Sequence, residues 1–130
     1  MSKNFYIEEY SGDFSDFDYF LNAELEDGVT VISAFLNHHR VNFHHLLGDF
    51  KCMLCSLEAY YRNTKYDGDE SKATPDGKEF EIKVSPDDNE VTVILYHADF
   101  DTDSLINSFA YAVGYVQSFM LLRIKNYNVD

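Results

Sequence analysis

Val41-Asn42-Phe43-His44-His45-Leu46-Leu47-Gly48-Asp49-Phe50-Lys51-Cys52-Met53-Leu54-Cys55-Ser56-Leu57-Glu58-Ala59-Tyr60-Tyr61-Arg62 decides the fold class. Phe43, Leu46, Leu47, Phe50, Met53, Leu54, Leu57, Tyr60 and Tyr61 recur at three- and four-residue steps, which makes one continuous apolar stripe along a long helix. His44, Lys51, Glu58 and Arg62 fall on the opposite side, and Glu58 with Arg62 forms an i,i+4 pair in the favourable order. Downstream the period changes. Glu79-Phe80-Glu81-Ile82-Lys83-Val84 alternates strictly, placing Phe80, Ile82 and Val84 on one side of a half-buried strand. Ser85-Pro86-Asp87-Asp88-Asn89 supplies a turn, and Val91 to Tyr96 completes an antiparallel hairpin. A long amphipathic helix beside a hairpin reads as α+β.

Working outward, Asn63 to Lys78 has Gly, Pro, Asp and Ser and no apolar periodicity, as in an exposed loop of mixed charge. Towards the C-terminus, Asp101 or Thr102 can cap a last helix in which Ile106, Phe109, Val113, Val116, Met120 and Ile124 share a face. Arg123 and Lys125 suit its final turn. Ala110, Gly114 and Ser118 form a small-residue ridge where another element can approach closely, so this helix is expected to be central. Ser104 to Leu122 has no charge and is nearly long enough to cross a bilayer, yet its Ser, Asn and Gln residues favour a buried core helix over a membrane span.

Towards the N-terminus, Asn4 to Tyr10 is aromatic and β-prone, a first strand ended by Ser11-Gly12. After Ser15 as N-cap, Phe14, Phe17, Leu21 and Leu25 fit one face of a short helix ending near Glu26, with Asp16 and Asp18 in its first turn. Asp27-Gly28 closes that element. Val29 to Leu36 is too short for periodicity to choose between strand and helix, and Ala34-Phe35-Leu36 tips it towards helix. The expected architecture is a small antiparallel sheet packed against several helices in a single domain over residues 1–130.

Ten Lys or Arg against 23 Asp or Glu give a formal charge of −13, while 45% of the chain is hydrophobic and 21 residues are Phe or Tyr. That apolar content excludes charge-driven disorder. A surface of one negative sign repels phosphate, so direct binding to nucleic acid or to an anionic membrane is disfavoured. The first residues have no apolar h-region, and Cys52 and Cys55 sit three apart within the helix, badly placed for a bridge. The expectation is free thiols in a reducing cytoplasm.

Several constellations could carry chemistry. His38, His39, His44 and His45 with Cys52, Cys55 and His97 suggest a metal, but the seven-residue step from His45 to Cys52 is about 10 Å of straight helix, too far for one ion. Cys52-Met53-Leu54-Cys55 has redox spacing without the helix N-terminus that lowers a thiol pKa. Asp99-Phe100-Asp101-Thr102-Asp103 partly resembles the phosphotransferase loop of the haloacid dehalogenases, but Asp103 departs from that pattern and the later motifs are absent. The same string, like Asp67 to Ser71, lacks the glycine and glutamate of an EF-hand loop, and helix capping accounts for Asp101. With no Gly-x-Ser-x-Gly, phosphate-binding Gly-Lys or His-Glu-x-x-His motif, neither catalysis nor a resident metal or cofactor is expected.

What remains is the charge. Acids recur along the whole chain, and Asp13-Phe14-Ser15-Asp16-Phe17-Asp18-Tyr19-Phe20 interleaves carboxylates with rings, a combination suited to Arg and Lys on a partner. In size, charge, lack of a signal segment and lack of catalytic motifs, the chain resembles the small acidic immunity proteins of bacterial toxin systems such as contact-dependent growth inhibition. The resemblance implies a cytoplasmic, non-enzymatic inhibitor that covers the active site of a basic toxin domain, often a nuclease; no family motif assigns its residues. For contacts the sequence offers Asp13, Asp16, Asp18 and Tyr19, then Asp67, Asp69 and Glu70. The rivals are a DNA mimic of the anti-restriction or anti-CRISPR kind and a small metal-binding enzyme, and a homodimer stays open.

Overall fold

From Tyr19 to Leu25 every second residue is buried, and the same alternation runs from Thr30 to Leu36. Only extended chain has that period. The computed structural model describes residues 3–10, 17–26, 29–64, 79–96 and 100–127. In chain order these form β1 (Lys3–Tyr10), β2 (Phe17–Glu26), β3 (Val29–Leu36), α1 (Phe43–Thr64), β4 (Phe80–Ser85), a 3-10 turn (Pro86–Asp88), β5 (Glu90–Leu95) and α2 (Thr102–Tyr127). All neighbouring strands are antiparallel, in the order β1-β2-β3-β5-β4.

Two sequence expectations are corrected here. The helix expected up to Glu26 is strand β2, and the segment inclined to helix is strand β3. The cause is an ambiguity of spacing: Phe17, Leu21 and Leu25 are four apart, a step that stays on one face of a helix and also on one face of a strand. Tyr19 and Ala23 fill the intermediate even steps, and β2 pairs along its length with β1 on one side and β3 on the other. Glu26 opposite Val29 leaves Asp27-Gly28 between them, a dipeptide favoured in two-residue hairpins. The α+β class holds; among the described residues the sheet has five strands, larger than expected, and there are two long helices where the sequence suggests several.

Both helices pack on one sheet face. Leu46, Phe50, Met53, Leu54, Leu57 and Tyr61 of α1 are buried, with Phe43, Leu47 and Tyr60 packed at the margin, so the apolar stripe meets the core along its length. α2 lies over β4 and β5 and buries Leu105, Phe109, Ala112, Val113, Val116 and Met120. The two helices meet at Phe50 and Phe109, whose rings stack with centroids 3.8 Å apart. Each helix start is satisfied by a side chain: Asn42 Oδ1 accepts the His45 N–H at 2.9 Å, and Asp101 Oδ1 accepts the Ser104 N–H at 3.2 Å.

The second side of α2 differs from expectation. Ile124 is exposed, and a Cβ built on Gly114 would meet nothing within 4 Å, so among the described residues no element packs closely on the ridge at Gly114. Tyr111, Tyr115, Leu121 and Leu122 also face outward. The segment Thr102–Ile124 is long and apolar enough to cross a membrane by length and composition, and in the fold its other side is part of the core.

The β4–β5 turn is tied into both layers. Asn89 adopts a left-handed conformation (φ 57°), which Asn tolerates, and donates its N–H to Pro86 O at 3.2 Å. Its carbonyl accepts the Leu36 N–H at 2.9 Å, and its side-chain Oδ1 accepts from the Arg123 guanidinium. One residue thus joins the hairpin, the end of β3 and the last turns of α2.

Candidate functional site

Three chain segments bring carboxylates to the start of α2. Glu58 comes from late in α1, Glu79 from the residue before β4, and Asp101 and Asp103 from the helix start itself. Thr102 Oγ1 donates to Glu58 Oε1 at 3.2 Å, and the Asp101 N–H donates to Glu79 Oε2 at 3.1 Å. The partial positive charge of the helix N-terminus lets these acids crowd together. Glu58 turns to Thr102, and the expected ion pair with Arg62 does not form. Among the described residues no Lys or Arg stands in an ion pair with a carboxylate, so the acids of this end keep their charge uncompensated by contact.

Next to this group Glu81 Oε2 accepts the Tyr96 hydroxyl at 2.8 Å. Burial holds the Tyr96 hydroxyl above the ordinary phenol range, and the hydrogen bond and charge of Glu81 push it the same way. The segment carrying Asp67, Asp69 and Glu70 joins Thr64 of α1 to Glu79. Those three residues, like Asp13 and Asp16, lie outside the described residues.

Asp18 and Tyr19 fall elsewhere. Tyr19 is 1% exposed, with its hydroxyl donating to Asp49, and is therefore a core residue and not a surface contact. In a strand, neighbours point to opposite faces, so Asp18 lies on the other side of the sheet and is only partly accessible. His38 Nδ1 accepts the Arg40 N–H at 3.2 Å, which leaves the proton on Nε2 to be donated to Asp18 Oδ1 at 2.8 Å.

The remaining constellations separate. Among the described residues no three of His, Cys, Asp and Glu come close enough to hold a metal ion, and Cys52 and Cys55 are free, exposed thiols beside the stripe. His97 and Asp99 lie outside the described residues, and Asp101 is engaged as the α2 cap.

A groove of about 760 Å³ opens between β4 and α2, lined by Ile82, Val84, Pro86, Asn107, Ser108, Tyr111, Ala112 and Tyr115. Its walls are mostly apolar and it contains no acid or base, which suits side-chain packing better than bond chemistry. Sequence reasoning does not assign Glu58, Glu79, Tyr111 or Tyr115 to a contact surface. The two acids meet across turns that no spacing rule links, whereas the tyrosines sit four apart on a helix face the core leaves uncovered. No protein-family model, curated protein or solved structure matches the chain.

Proposed function

We propose that the chain is a cytoplasmic immunity protein that binds a basic toxin domain, a nuclease by class, and covers its cationic cleft with the acidic end at the start of α2. The supporting observation is the meeting of Glu58, Glu79, Asp101 and Asp103 there without a paired Lys or Arg among the described residues. A substrate cleft built for phosphates attracts such a surface over distance and fits carboxylates at contact range. Inhibition of this kind makes and breaks no covalent bond. It blocks access.

The test is calorimetric titration of the full chain into the purified product of the adjacent upstream gene, at about 50 and 300 mM salt. The expected result is a one-to-one complex weakened at least tenfold by the added salt, as long-range attraction is screened. Glu79→Lys with Asp103→Lys should weaken it a further ten- to hundredfold. No complex at low salt overturns the proposal, as does binding that responds to neither salt nor charge reversal.

A further inference from the structure

Among the described residues β4 is an edge strand, paired with β5 alone. Its outward hydrogen-bonding groups can be identified from one bond. The Tyr96 N–H donates to Glu79 O at 3.0 Å, so Glu79 and Tyr96 are a bonded pair of this ladder. Bonded and non-bonded pairs alternate in an antiparallel ladder. Glu81, Lys83 and Ser85 therefore turn their backbone groups to β5, and Phe80, Ile82 and Val84 turn theirs to the open edge.

An antiparallel copy of the same strand can use those outward groups in three central registers. Centred on Glu81 it sets Glu79 opposite Lys83 but brings Glu81 against its own copy, and centred on Lys83 it sets lysine opposite lysine with no opposite-charge pair. Centred on Ile82 it places Glu81 opposite Lys83 of the second copy, twice by symmetry, with Phe80 opposite Val84 and Ile82 opposite itself. Opposite charges in directly facing positions favour this last register, and like charges disfavour the other two. The strand is charge-complementary to itself.

We propose that two copies of this chain pair through β4 about a two-fold axis at Ile82, forming a continuous ten-stranded sheet. The helix layer fits the same arrangement. α2 lies over β4 and β5, so with strands about 4.8 Å apart the two α2 axes run about 10 Å from each other, close to the usual helix-packing distance. Tyr111 and Tyr115, 83% and 53% exposed in one copy, stand on the groove that the second copy closes. Such a contact is isologous, each copy giving and receiving the same surface. The net charge of −13 per copy opposes approach, and salt near 0.15 M confines that repulsion to about 8 Å.

Sedimentation equilibrium of the full chain at about 0.15 M salt, from micromolar to about 0.5 mM, tests this independently of any toxin. The expectation is a reversible monomer–dimer equilibrium. Lys83→Glu should raise its Kd at least tenfold, and adding Glu81→Lys to that variant should restore it to within about threefold, since the pairs are then exchanged. Both side chains lie on the outer face of an edge strand, and circular dichroism checks that each variant is folded. A monomer throughout the range overturns the proposal. A dimer indifferent to Lys83→Glu, or one the second substitution does not restore, overturns this interface.

Discussion

The two helices are similar in length and pack on the same sheet face, yet they use their sequences differently. In α1 the apolar positions and the buried positions nearly coincide, leaving Lys51, Cys52, Cys55 and Arg62 to solvent. In α2 the buried side accounts for only part of the apolar content, and Tyr111, Tyr115, Leu121, Leu122 and Ile124 remain outside. The lesson is that a stripe explained by its own core asks for nothing more, whereas a helix with apolar residues left over has a second surface to account for.

That contrast can be broken most severely where the cores of the two helices meet. Phe109→Ala empties the ring stacked on Phe50 and should cost about 3–5 kcal/mol in urea unfolding, with both helices lost in a single transition. Two separate transitions would mean that each helix is held by the sheet alone. Smaller and local, Asp101→Ala removes the α2 cap and should lower stability by about 1 kcal/mol, as Asn42→Ala should at α1. The bond from the Asp101 backbone N–H to Glu79 survives in that variant, so Glu79→Ala reads its contribution to holding β4 separately. The smallest effect sharpens the comparison: Leu122→Ser should change monomer stability by no more than about 0.5 kcal/mol, while Leu46→Ala on α1 should cost about 2–5 kcal/mol.

Legibility followed the same division. The α1 stripe, the β4–β5 hairpin and the long C-terminal helix can all be read from residue spacing, because each repeats one period over several turns or several alternations, and β1 can be read from its aromatic, β-prone composition. β2 cannot be read from Phe17, Leu21 and Leu25 alone, since a step of four belongs to both periods; Tyr19, Ala23 and the Asp27-Gly28 dipeptide hold the information that favours strand. The acids around Tyr19 in sequence point to a surface, whereas strand alternation puts Tyr19 in the core and Asp18 on the opposite face. The acidic end was the least legible, because Glu58, Glu79 and Asp101 become neighbours only through the packing of α1, β4 and α2.

The strand order has a consequence for synthesis. β3 is completed at Leu36, but its neighbour on the far side, β5, begins only at Glu90, after about fifty intervening residues. At translation rates of about 5–20 residues per second, that edge waits on the order of 3–10 s for its partner to leave the ribosome. Over that interval the emerging chain presents an uncapped row of amides and carbonyls, and the nascent N-terminal meander is where a chaperone would be needed most.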